Sequence, residues 1–235
     1  MDLARYHNIV VLTGAGISQA AGLPTYRGPG SSWADSGLAA MSTASALAER
    51  RTHVTDVFWS MRRALATVQP TAAHRALAAF EAALPMTTRF TVITQNVDGL
   101  HLAAGSESVC EYHGSLLRWR CERCGDIEEP PARSPTPMHC RQRMRPDIVL
   151  FGEPIPPDAA RAATHALRGC DLFVAIGTSG TVAPAADLVH AAAVEGARRV
   201  LLNLDIFDGA REVFSECHAG TADDLVPRFL GVAGA

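Results

Sequence analysis

Apolar residues along this chain come in two kinds of run. Short continuous runs, Ile9–Leu12, Phe90–Thr94, Asp171–Ile176 and Arg199–Leu204, have the pattern of strands buried on both faces of a parallel sheet. Between them lie stretches with helical spacing at Thr43–Glu49, Val54–Thr67, Thr71–Leu84, Pro157–Leu167 and about Pro184–Gly196, and a last helix is expected from Asp224. Gln69-Pro70-Thr71 breaks the second of these, and Thr71 is suited to cap the third. Strands alternating with helices predict an α/β fold built on a doubly wound, Rossmann-like parallel sheet. One domain is expected, with a large lobe of residues 1–33, 69–114 and 151–235 and a smaller lobe of 34–68 and 115–150.

Polar and glycine-rich segments follow the strands, where open α/β sheets bind ligands. After the first strand, Gly14, Gly16 and Gly22 permit sharp turns and close approach of the backbone to a ligand. A helix starting near Ile17–Ser18 would aim free N–H groups and a positive end at an anion on this loop. Gly14-Ala15-Gly16 is not a dinucleotide fingerprint by itself, because Gln19 holds the third glycine position. The second strand ends in Thr94-Gln95-Asn96-Val97-Asp98-Gly99-Leu100-His101. Its Asn96 and Asp98 suit either ligand binding or a turn bonded to its own backbone. The later strands end at Gly177-Thr178-Ser179 and Asn203-Leu204-Asp205. His113-Gly114 offers an imidazole able to accept a proton near neutral pH.

Charge and cysteine content narrow the choices. A formal net charge of −3 leaves no electrostatic footprint for nucleic acid. No apolar run approaches the length of a membrane span and no secretion signal is evident, so a cytoplasmic chain is expected. All 21 basic residues are arginine, which the heavy alanine use assigns to a GC-rich coding sequence. Of six cysteines, Cys121, Cys124 and Cys140 crowd into one segment, which suggests metal rather than a disulfide framework. Cys121-Glu122-Arg123-Cys124-Gly125 has the spacing of a zinc-knuckle half-site.

The block Gly14–Gly28, GAGISQAAGLPTYRG, resembles the NAD-binding signature of the sirtuins, the NAD-dependent protein-lysine deacylases, with Leu23 and Tyr26 replacing the usual Ile and Phe. TQNVDGLH, His113-Gly114, the CxxC, Arg145–Glu153 (RPDIVLFGE) and Gly177-Thr178-Ser179 follow in the family's order, so the resemblance spans about residues 8–229. It implies NAD contacts at Gly14, Ala15, Gly16, Ile17, Tyr26, Arg27 and Trp33, and at Gln95, Asn96, Val97 and Asp98 on the nicotinamide side. On the adenosine side it implies Gly177, Thr178, Ser179, Asn203, Leu204, Asp205 and Ala222. His113, Asn96 and Asp98 are the implied catalytic residues, and His74 is expected to be structural, satisfied within helix packing.

In the implied reaction the acyl oxygen of a substrate lysine attacks the ribose carbon bearing nicotinamide, which departs. His113 then acts as base on a ribose hydroxyl, and lysine and O-acyl-ADP-ribose are the products. Acyl-lysine proteins are the implied partners, of a monomeric enzyme. A mono-ADP-ribosyltransferase and a silent NAD- or ADP-ribose-binding module are the alternatives. The family closes a structural zinc site with a second cysteine pair. Here Cys140 takes the fourth position, whereas Pro137, Met138 or His139 stands at the third. His139 is a possible ligand, but adjacent His139 and Cys140 are expected to strain to reach one ion, giving a weakened site or none. Sirtuins that remove acidic acyl groups carry a Tyr-x-x-Arg pair. Trp59 and Arg62 stand on one helix face in the matching stretch, so activity on succinyl-lysine as well as acetyl-lysine is expected.

Overall fold

Four strands at the apolar runs form the centre of one six-stranded sheet in the computed structural model, which describes residues 3–25, 37–131, 134–178, 185 and 187–232. They are β1 (Asn8–Thr13), β2 (Arg89–Thr94), β9 (Leu172–Ile176) and β10 (Arg198–Asn203), flanked at the edges by β3 (Val109–Glu111) and β11 (Glu216–Ala219). The order is β11-β10-β9-β1-β2-β3 and every pairing is parallel. Strand order therefore reverses between β1 and β9, the point at which doubly wound sheets open a ligand crevice at their carboxyl ends.

The continuous apolar runs follow from cover on both faces. Val10 and Leu12 enter one core cluster with the helices Pro157–Leu167 and Asp187–Val194. Ile9 and Val11 enter the other, with the helices Ala72–Ala83 and Ala222–Leu230. Alternate residues point to opposite faces, so no position on β1 can be polar without entering a core. Each such side chain contributes about 1.5–3 kcal/mol by leaving water.

A third cluster stands apart from the sheet. Ala46, Leu47, Val54, Phe58 and Trp59 pack on Leu116, Trp119, Met144 and Ile148. These residues come from the helices Ala44–Glu49 and Arg51–Leu65 and from an antiparallel sheet of β4 (Gly114–Arg120), β5 (Ile127–Glu128) and β8 (Arg145–Ile148). A hairpin of β6 (Met138–His139) and β7 (Gln142–Arg143) completes this part. No helix among the described residues is long and apolar enough to cross a membrane.

The caps explain the helix boundaries. Thr43 accepts from the Ala46 N–H, so its helix begins at Ala44. Thr71 caps Ala72–Ala83 and accepts from the His74 N–H, while the His74 side chain accepts the Thr71 N–H. This is a capping box with histidine in the place of glutamate. The last helix starts at Ala222, two residues earlier than expected, because Thr221 caps it. The segment expected to start a helix near Ile17 is a 3₁₀ turn over Ala15–Ala21, stopped by Gly22 at φ 80°.

Candidate active site

The crevice forms where two loops meet backbone to backbone. The Gly14 N–H donates to Ile176 O (3.0 Å) and the Gly16 N–H to Gly177 O (2.9 Å). A Cβ on Gly16 would stand 2.6 Å from Gly177 Cα, and one on Gly14 would stand 2.7 Å from Gly177 O. These glycines are thus required by the packing of the loops after β1 and β9. Of the N–H groups expected to face an anion at the start of the helix, that of Ile17 is spent on Gly14 O (3.2 Å).

The TQNVDGLH segment leaves β2 and crosses the crevice floor. Gln95 N–H donates to Thr13 O, and its side-chain Nε2 donates to Thr178 Oγ1 (3.0 Å). Asn96 Nδ2 donates to Gly14 O and to Ser18 Oγ (3.1 Å each). Gly14 O can only accept, so the amide nitrogen is fixed there and Oδ1 is left to accept from a ligand or water. Ser18 Oγ in turn donates to Asp98 Oδ2 (2.7 Å), while Asp98 Oδ1 accepts the Leu100 N–H. Asn96 and Asp98 are therefore bonded to the neighbouring loop as well as to their own turn.

His113 lies beside this floor. Its Nδ1 is 3.0 Å from Gln95 O, which accepts, so Nδ1 carries the proton and Nε2 keeps its lone pair. Burial pushes the imidazole below its ordinary 6.5, opposed by the bond to the Gln95 carbonyl. His113 is consequently neutral near pH 7 and competent as a base.

Two further histidines support the floor from beneath. His101 Nε2 meets Thr13 Oγ1 (2.9 Å), Thr13 donates to Thr94 Oγ1, and Thr94 Oγ1 accepts the Asn96 N–H. Burial lowers His101 to about 3 and His74 to about 4, so neither is a proton carrier at neutral pH. Their rings meet edge to face at 4.6 Å. Among the described residues His74 Nε2 and His101 Nδ1 have no hydrogen-bond partner, so the expected satisfaction of His74 is seen for one nitrogen.

The Sir2 family profile matches residues 14–184. The chain belongs to the Sir2 family. It is 38% identical over 234 residues to NAD-dependent protein deacylase 2 of Pyrobaculum aerophilum, covering 97% of this chain and 92% of that one. It is 40% identical to an NAD-dependent protein deacylase of Pasteurella multocida, covering 94% and 96%. A solved Sir2 homologue–NAD complex superposes with a TM-score of 0.86 at 30% identity, covering 97% of this chain and 90% of that one.

In this Sir2-family chain the adenosine-side candidates lie along the same carboxyl edge. Gly177 and Thr178 follow β9, Asn203 ends β10 with its Nδ2 on Asp205 O (2.8 Å), and Leu204 is exposed. Ala222 opens the last helix, and Gly220 N–H donates to Asn203 O. Val97 packs on the third core cluster. Tyr26, Arg27, Trp33 and Ser179 lie outside the described residues. Sequence reasoning gave no role to Ser18, although it stands inside the GAGIS block and joins Asn96 to Asp98.

Trp59 and Arg62, the candidate acyl-pocket pair, each donate one bond to a carbonyl of the insertion. The Trp59 indole N–H donates to Ser134 O (3.0 Å), and Arg62 Nη2 donates to Pro130 O (2.7 Å). These donors tie the helix Arg51–Leu65 to the cysteine-bearing insertion, with Arg143–Asp56 as a further tie. Arg62→Met is accordingly expected to lower turnover of acetyl- and succinyl-lysine versions of one peptide by similar factors. A loss of roughly 10- to 150-fold confined to succinyl-lysine, the value of one charge-assisted bond, would place Arg62 in the acyl pocket instead.

The cysteines converge as a metal site would need. Ligand atoms of Cys121, Cys124, His139 and Cys140 all lie within 4.8 Å of one another, a donor set compatible with structural zinc. The strain expected of adjacent His139 and Cys140 in reaching one ion is taken up by the backbone of the hairpin turn. Cys140 and Arg141 adopt left-handed conformations (φ 48° and 63°), which brings both side chains to the cluster.

Proposed function

We infer that this chain is an NAD-dependent protein-lysine deacylase. The observation that carries this reading is the pairing of His113 with Gln95 O, which leaves a bare, neutral Nε2 beside the loop that bears Asn96 and Asp98. When bound, NAD supplies an electrophilic ribose carbon and nicotinamide as leaving group.

The chain's own residues do the rest. Asn96, with its amide nitrogen committed to Gly14 and Ser18, keeps Oδ1 free and would offer it to a ribose hydroxyl or water once NAD binds. Asp98 keeps lone pairs beyond those taken by Ser18 and Leu100, and with NAD bound these would be free to accept from the carboxamide of nicotinamide. With NAD bound, His113 Nε2 would accept the proton of the ribose hydroxyl that takes the acyl group. Gly177, Thr178, Asn203, Leu204, Asp205 and Ala222 would hold the adenosine half of NAD. Acyl-lysine enters between the sheet lobe and the lobe built on the third core cluster. His113 stands at that junction, its carbonyl accepting the Val149 N–H.

Mass spectrometry of a mixed panel of acyl-lysine peptides with NAD tests the reading. Loss of the acyl group, with nicotinamide and O-acyl-ADP-ribose formed in equal amounts, is expected. Nicotinamide release without acyl-peptide, with ADP-ribose attached to protein, would make it a transferase. Tight NAD binding with no turnover would make it a binding module.

A further inference from the structure

We propose that His139 completes a Cys₃His zinc site through Nδ1, and that Asp126 is a positioning residue that orients its imidazole. Three observations carry this. The first is the spacing of the donor atoms. Around a tetrahedral zinc with Zn–S near 2.3 Å and Zn–N near 2.0–2.1 Å, sulfurs lie about 3.8 Å apart, and sulfur and nitrogen about 3.5 Å. Cys140 Sγ and Cys124 Sγ are 3.6 Å apart, and His139 Nδ1 is 3.3 Å from Cys124 Sγ. These two edges match that tetrahedron, and all four donor atoms, Cys121 Sγ included, lie within 4.8 Å of one another.

The second observation is the far nitrogen of the ring. His139 Nε2 lies 3.3 Å from Asp126 Oδ2, and a carboxylate accepts from Nε2–H, leaving Nδ1 deprotonated and facing the thiols. Asp126 is itself held by the knuckle. Its carbonyl accepts the Cys121 N–H (2.8 Å), and Gly125, at φ 80°, donates to Cys121 O (2.8 Å). The two-cysteine turn thus builds the support for the third-position histidine.

The third is the turn between β6 and β7. Its two central residues are Cys140 and Arg141, both left-handed, although this hairpin type is ordinarily filled by asparagine and glycine. Non-glycine residues persist in this region where the surroundings over-determine them. Here the turn places consecutive side chains, His139 and Cys140, on one centre. A rival donor set, Asp126, Glu128 and His139, would take a metal through Nε2. Three thiols favour zinc on the Nδ1 side, since soft sulfur ligands select it over carboxylates.

Zinc content and zinc-edge X-ray absorption of the full chain, purified without added metal, test the assignment. One zinc per chain is expected, with three sulfurs near 2.3 Å and one imidazole nitrogen near 2.0–2.1 Å. Asp126→Asn should weaken zinc in chelator competition by roughly 10- to 100-fold, and His139→Cys should keep the metal and give four sulfurs. Substoichiometric zinc, an all-sulfur or oxygen-rich shell in the native chain, or chelator competition unchanged in Asp126→Asn would overturn the proposal. The native spectrum decides the ligand set even if a variant fails to fold.

Discussion

His113→Ala is expected to remove deacylation by about 10²–10⁴-fold while NAD binding persists, the usual cost of losing a positioned general base. Among the described residues the side chain bonds to Gln95 O alone, and its removal leaves the Asn96–Ser18–Asp98 network in place. Steady-state turnover on an acetyl-lysine peptide, beside NAD affinity by calorimetry, separates the two effects. Turnover within a few-fold of the parent would remove His113 from the chemistry. The pH profile carries a second signature. Burial holds the imidazole below 6.5, and only its neutral form can act as base, so the acid limb should lie below pH 6.5. A limb above that value would contradict the neutral, buried histidine.

Arg145→Met should lower the thermal midpoint by roughly 5–10 °C, from about 2–3 kcal/mol of lost stability in a chain of this size. Arg145 is buried to 1% exposure and pairs with Glu153 through both terminal nitrogens. It also donates to Ile148 O (2.9 Å) and Pro146 O (3.3 Å). Glu153 in turn accepts the Leu150 N–H, so the ion pair fixes the turn after β8 beside His113. Removing the arginine leaves Glu153 with its cation gone. Its side chain is still 21% exposed, which places the cost at the low end for a broken buried pair. The double substitution Arg145→Met with Glu153→Leu should recover part of the loss, because the Glu153 charge is gone and Glu122, 3.6 Å from Arg145 Nη1, keeps its pair with Arg51. Thermal unfolding monitored by circular dichroism reads both. A midpoint unchanged by the single substitution would show that the pair does not hold this turn.

The sequence by itself determined the sheet and its ligand edge. Unbroken apolar runs such as Ile9–Leu12 are tolerated only where both faces are covered, so the parallel sheet was legible from one-dimensional pattern. Strand ends were legible for a related reason: Gln95, Asn96 and Asp98 follow the run at once, and polarity begins where cover stops. Thr71 announced its helix through local capping chemistry, which needs no distant partner.

Tertiary structure decided what depends on residues far apart in the chain. Gly14 and Gly16 looked like a ligand cradle, but their lack of a Cβ is needed to admit Gly177, over 160 residues away. Ser18 gained its place between Asn96 and Asp98 only when β1 and β2 paired in register. Trp59 and Arg62 share a helix face, as their spacing required, yet spacing cannot say that carbonyls of the insertion stand opposite them. His139 and Cys140 looked too close to serve one centre, because adjacent side chains diverge in ordinary backbone. Two left-handed residues reverse that divergence, and backbone handedness at cysteine and arginine is set by the surrounding fold.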